Sequence, residues 1–172
     1  MKRHSATARI TYPAILGALS LVFVYVGAVA PSGNWGLVAL AGLFPAAVVI
    51  SFGLKSGFLC WVGVSVLAFV LIPGKFCALL YAVLFGLYPM LKSVIEGLRK
   101  KTVGYVLKLA FFNIAFTILY TVMRVAVLDS LPNILQTGWL LYVVGNVVFL
   151  VYDFGFSKLI AFYIARIARV VK

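Results

Sequence analysis

The chain alternates long apolar blocks with short breaks rich in glycine, proline or basic residues. The blocks cover residues 10–30, 36–52, 58–72, 76–91 and 103–128, and a sixth starts near Trp139 and runs to the basic tail. An α-helix needs about 20 apolar residues to cross the hydrocarbon core of a bilayer, so each block is read as one crossing. None alternates with period two, which a membrane barrel strand would require. Six crossings are expected. The second to fourth blocks are short, so an interrupted or re-entrant pair, giving five, is the alternative. Pro13 falls in the first turn of the first span, where a missing amide matters little. Pro45 should kink or break the second span, and Pro89 sits near the end of the fourth. The breaks are Pro31-Ser32-Gly33-Asn34, the tight connection Gly53-Leu54-Lys55-Ser56-Gly57, Pro73-Gly74, a basic loop over residues 92–101, and a last loop opening at Asp129-Ser130-Leu131-Pro132-Asn133.

Composition agrees with that pattern. Of 172 residues, 65% are hydrophobic and 10% charged, against about 25% charged in an average soluble domain. The fold class is therefore all-α integral membrane, with residues 1–172 forming a single bundle of about six transmembrane helices and no soluble domain. Lys2, Arg3 and Arg9 before an apolar stretch have a signal-peptide flavour, but the stretch outlasts a typical h-region and more spans follow; it is read as a retained helix. The net charge of +12 suggests nucleic acid only until the charges are placed. With six spans, one side holds Lys2, Arg3, Arg9, Lys55, Lys92, Arg99, Lys100, Lys101, Arg166, Arg169 and Lys172, and the other holds Lys75 and Asp129. By the positive-inside rule the basic side is cytoplasmic, with both termini. Trp35 and Trp139 then fall at the outer interface. Lys158, Arg166, Arg169 and Lys172 share one face of the final stretch, with Leu159, Phe162, Ile164, Ile167 and Val171 as apolar surface. A positive-inside flank of snorkelling side chains is favoured over a helix lying along anionic headgroups.

No enzyme constellation is present in the sequence. His4 is the only histidine, and Cys60 and Cys77 lack zinc-ligand spacing, so they read as buried apolar thiols and no metal or cofactor is expected. The three acids, Glu96, Asp129 and Asp153, form no pair, and there is no Gly-rich phosphate loop, so the chain has no ATP site of its own. Polar groups inside spans are the informative ones, because hydrocarbon penalises them. Asn113, Thr117, Tyr120, Thr121 and Arg124 make one helical stripe in the fifth span; Tyr142, Asn146, Phe149 and Asp153 make one in the sixth. These are expected to face each other across a polar cavity. Arg124 is a candidate to hold a substrate carboxylate or phosphate; the alternatives are snorkelling to outer headgroups or pairing with Asp129. Asp153 is a candidate for contact with a substrate amine or for proton coupling, against a structural hydrogen bond to Asn113 or a tyrosine. Ala14, Gly17 and Ala18 give the first span a small-residue face on which another helix can dock.

Together these features resemble the substrate-binding S components of energy-coupling factor (ECF) transporters. Size, six spans and cytoplasmic ends match. Ala14 and Ala18 match that family's contact for its transmembrane coupling subunit. Leu43-Phe44-Pro45-Ala46-Ala47 followed by Phe52-Gly53-Leu54-Lys55-Ser56-Gly57 resembles its connection between the second and third spans. The resemblance implies a prokaryotic cell-membrane protein that binds a vitamin-like micronutrient near the outer face. Energy would come from two cytoplasmic ATPases acting through the coupling subunit. It places Asn34 and Trp35 in a lid, with Tyr81, Tyr88, Arg124, Tyr142 and Asn146 as contacts; Tyr88 falls near the inner end. No signature for thiamine, riboflavin, biotin, folate or cobalt is found. The rivals are a structural subunit of a cell-envelope assembly, like the small rod-shape-determining proteins, and a small ion-coupled transporter with Asp153 as coupling residue.

Overall fold

The computed structural model describes residues 6–97, 101–126 and 138–166, and their regular structure is all helix, joined by short connections. The helices are α1 (Ala6–Val29), α2 (Asn34–Ala41), α3 (Leu43–Phe52), α4 (Leu54–Leu71), α5 (Lys75–Leu80), a π turn (Tyr81–Phe85), α6 (Tyr88–Glu96), α7 (Lys101–Ala126) and α8 (Gly138–Arg166). They make six segments long and apolar enough to cross a bilayer: Arg9–Val29, Asn34–Phe52, Leu54–Leu71, Lys75–Glu96, Thr102–Met123 and Trp139–Arg166. The chain is a multi-pass membrane protein, with six helical segments of membrane-spanning length among the described residues.

Spans 2 and 4 are each built from two helices, and proline chemistry explains where they meet. Pro45 has no amide for the carbonyl of Ala41. The buried hydroxyl of Ser20, from α1, donates to that carbonyl instead, at 2.9 Å. The helix breaks at Gly42, one turn ahead of the proline, where the Gly42 amide turns back to Ala39. In span 4, Pro89 likewise leaves the Phe85 carbonyl without a helical donor. A Cβ at Gly42 would overlap that carbonyl oxygen, so glycine lets the backbones of spans 2 and 4 touch. The π turn adds a second irregularity: the Gly86 amide reaches the Tyr81 carbonyl at 2.7 Å. Trp61 Nε1 of α4 donates to the Ala82 carbonyl at 3.0 Å. Pro13 lies inside α1 rather than in its first turn, because the helix begins at Ala6.

Gly53 alone connects α3 to α4, and its φ of 89° is a conformation that L side chains rarely adopt. α1 packs on α2, α3 and α4, around Val24, Val38, Val48, Val64 and Ala68. Span 4 is the most enclosed, with 56% of its apolar window buried against 17% for span 6. It packs against the first three spans and α7, while α8 packs on α7 and directly on α3. Cys60 and Cys77 are buried and free, as expected.

The two ends of the bundle differ. At the end where α1 begins, here the basal end, Tyr12 Oη and Tyr163 Oη are 2.8 Å apart and Tyr163 Oη lies 3.1 Å from Ser51 Oγ. This ties α1, α3 and α8 together. At the opposite, apical end, Trp35 and Trp139 are exposed by 64% and 69%, as befits indoles at an interface.

Candidate functional site

Span 4, α7 and α8 meet along a polar seam with three layers. The basal layer is ionic. Lys92 and Glu96 lie one turn apart on α6 and so share a face. Lys108 comes from α7 and Asp153 from α8. The Lys92 ammonium donates to Asp153 Oδ1 and to Ser157 Oγ at 2.7 Å, and lies 2.9 Å from Glu96 Oε1. The Lys108 ammonium is 3.0 Å from Asp153 Oδ2 and 3.1 Å from Glu96 Oε1. The Tyr88 hydroxyl donates to Asp153 Oδ1. Ser157 Oγ donates to the Asp153 carbonyl at 2.7 Å. Two cations and two anions thus alternate around a ring with no net charge. Lys92, Lys108 and Asp153 are buried, while the Glu96 side chain is exposed by 52%.

The ring sits within the apolar spans. Lys108 is about 10 Å along α7 from its first residue, at about 1.5 Å per residue. A lone Lys or Asp at the centre of a span is disfavoured by about 2.5–3.5 kcal/mol on insertion scales. Pooling both signs from three helices removes the uncompensated charge.

An aromatic cluster flanks the ring and extends above it. The rings of Phe112 and Phe149 stack at 4.6 Å between centroids. Tyr88 is edge-on to Phe149 at 5.3 Å and to Phe156 at 5.8 Å. Tyr152 packs between Phe85 and Phe156 at 5.0 and 5.3 Å. Its hydroxyl is buried with no hydrogen-bond partner among the described residues.

The apical layer is polar and neutral. Asn113 Nδ2 donates to Asn146 Oδ1 at 3.0 Å, and Asn146 Nδ2 returns the bond to Asn113 Oδ1 at 3.2 Å. Each amide also donates one turn back along its own helix, to Leu109 and Tyr142 respectively. Thr117 gives its one proton to the Asn113 carbonyl at 2.7 Å, so in the 2.7 Å contact with Tyr142 the phenol is the donor. Thr121 bonds to the carbonyl of Thr117.

The two stripes face each other at Asn113, Thr117, Tyr142 and Asn146, in direct hydrogen bonds rather than across the expected polar cavity. Thr121 continues the α7 stripe and is exposed. Arg124 lies one turn further on; its side chain, like Asp129, Arg169 and Lys172, is outside the described residues. Asp153 belongs to the basal ring. Its expected bond to a tyrosine is met by Tyr88, but Asn113 is taken by Asn146. Tyr81 is fully buried with its hydroxyl 3.0 Å from Ser20 Oγ, turned toward α1. Asn34 opens α2 half-buried, and exposed Trp35 stands 6.4 Å from the ring of Phe76. On α1, Ala14 and Ala18 are exposed, whereas Gly17 is buried against Val64 and Cys60 of α4.

The expected basic loop over residues 92–101 does not start at Lys92, and residues 98–100 lie outside the described residues. α6 continues through Glu96, and Lys92 is 2% exposed. Its charge is compensated inside the bundle instead of facing water. The sequence reading missed Lys92, Glu96 and Lys108 as a unit. The available signal was Lys108, a cation inside an apolar block, which demands an acid on a neighbouring helix. Among the described residues no group of three or more His, Cys, Asp or Glu side chains comes together to hold a metal. The chain matches no protein-family model, no curated protein and no solved structure.

Proposed function

We propose that this chain is the substrate-binding membrane subunit of an ECF-type importer in a prokaryotic cell membrane. Its solute is a small vitamin-like micronutrient with an anionic group. One observation carries the reading: Asn113, Thr117, Tyr142 and Asn146 turn toward one another across the apical half of α7 and α8, over an aromatic floor. Amides and hydroxyls paired in this way can exchange partners for a ligand, because a bond lost within the protein is regained on the solute. Arg124, one turn beyond Thr121, would hold the anionic group. The basal end faces the cytoplasm in this reading, since Arg9, Lys55 and Arg166 lie there. The exposed pair Ala14 and Ala18 offers the coupling subunit a close approach, and two ATPases supply energy through that subunit.

A structural subunit of a cell-envelope assembly is the second reading. The observation favouring it is the reciprocal Asn113–Asn146 bonding, which satisfies the polar seam from within. The ion-coupled reading gains little from Asp153, whose charge two ammonium groups already balance.

The test is native mass spectrometry of the purified chain for bound solute, followed by titration of that solute. Arg124→Ala should weaken binding by at least about tenfold, equivalent to about 1.4 kcal/mol, and leave the thermal transition in place. Unchanged affinity removes Arg124 from the site. Ala18→Leu should reduce copurification with an ATPase pair without changing solute affinity. Copurification with cell-wall machinery and no solute would transfer the case to the structural reading.

A further inference from the structure

We propose that the basal half of α8 carries a site for an anionic phospholipid, with Lys158 and Arg166 converging on its phosphate. Phe154, Lys158, Phe162 and Arg166 recur every fourth residue and form one exposed stripe along α8. Cations and aromatics alternate along it. Lys158 Nζ lies over the Phe154 ring at 5.3 Å, and the Arg166 guanidinium lies 6.0 Å from the Phe162 ring centre.

Lys158 stands apart from the other cations with described side chains. Lys92 and Lys108 are compensated by Asp153 and Glu96. Arg9, Lys55, Lys75 and Arg166 lie at or next to the ends of their spans. Lys158 lies inside its span, on the outside of the bundle, with no carboxylate partner among the described residues. It follows Ser157, which the Lys92 ammonium touches, so it shares the depth of the ionic ring. The two acids with described side chains are both in that ring. Among the described residues no counter-charge is left for Lys158, and one from outside the bundle can meet it.

The bilayer supplies one at this place. Lys158 and Arg166 are about 12 Å apart along the helix, and their long flexible stems can bring both heads to one phosphodiester at the basal headgroup level. Arg166 can grip phosphate oxygens in bidentate fashion. Phe162 between them offers a flat surface to the glycerol region, and Phe154 does so to the acyl chain. An acid on a partner helix is the competing source. The stripe ends in the headgroup zone and continues upward into exposed Val147 and Val151, which is the setting of a lipid rather than of a buried carboxylate.

The experiment is native mass spectrometry of the full chain released from mixed phosphatidylglycerol–phosphatidylcholine bilayers. Wild type should retain phosphatidylglycerol several-fold over phosphatidylcholine. Lys158→Ala and Arg166→Ala should each lower that preference, and the double variant should bring it near parity. Lys55→Ala, at a basal helix start, should leave it unchanged. Lys158→Gln serves if the alanine variant is not monodisperse. Equal retention of both lipids by wild type overturns the proposal, as does an unchanged preference in the double variant. An equal loss in Lys55→Ala would mean diffuse attraction only. A protein lost from Lys158→Ala preparations with lipid retention intact would assign the counter-charge to a partner.

Discussion

Asn146 and Asp153 stand two turns apart on one face of α8, and their surroundings satisfy them differently. Asn146 needs one amide, and Asn113 provides it across a single helix–helix contact. Asp153 recruits Tyr88 and Lys92 from α6 and Lys108 from α7, and Glu96 completes the neutral ring. The difference lies in what hydrocarbon demands of each group. A neutral amide in an apolar surrounding asks for hydrogen-bond partners, and a carboxylate asks for opposite charge as well. The basal half of the seam therefore fastens three helices, and the apical half fastens two with exchangeable bonds. A solute could displace the second kind of contact far more readily than the first.

The largest expected effect is at the ring. Asp153→Ala leaves Lys92 and Lys108 with Glu96 alone, and breaking a buried pair in this way costs about 3–5 kcal/mol. Thermal unfolding in detergent should show it as a large drop in midpoint or a loss of monodisperse protein. The combination Lys92→Met with Asp153→Leu removes one charge of each sign. It should recover much of that loss, and a fully additive double-mutant cycle would refute the ring as a coupled unit. At the apical layer Asn113→Ala should cost only about 0.6 kcal/mol and at most about 1.7, the range found for hydrogen bonds between membrane helices. A loss as large as that of Asp153→Ala would erase the contrast between the halves.

Smaller effects sharpen it further. Glu96 is exposed by 52%, so Glu96→Gln should cost no more than about 1 kcal/mol, and added salt should reduce the difference from wild type. Tyr152→Phe deletes a buried hydroxyl that has no partner among the described residues. It should be neutral or slightly stabilising, since no bond is lost and an unsolvated polar group is removed. A clear destabilisation would mean that the hydroxyl has a bound partner, which would draw Tyr152 into the polar seam.

Much of the fold is legible in the residues alone. Continuous apolar blocks mark the spans because each must shed backbone polarity into its own helical bonds. The stripes of α7 and α8 are legible for a related reason: helical periodicity fixes which polar groups share a face, and lipid forbids them to face outward unpaired. The ring was not legible as a ring. Lys92 and Glu96 follow an apolar block and read as the start of a loop, because charge at a span end looks the same whether it meets water or a neighbouring acid. The break in span 2 was expected near Pro45, but its position at Gly42 depended on Ser20 and Phe85, which are distant in sequence.

The amino-acid order by itself determined a membrane-embedded all-helical chain, the two polar faces that meet in the apical seam and the requirement that Asp153 find a partner. These follow from local periodicity and from the cost of polar groups in hydrocarbon, which act residue by residue. Only the tertiary structure decided that Lys92, Glu96, Lys108 and Asp153 form one neutral ring, that Tyr81 turns to Ser20, and that Lys158 is left on the outside of the bundle. Those outcomes depend on which helix lies beside which. That is a long-range choice made by the packing of small residues and proline breaks, and no single stretch of sequence encodes it.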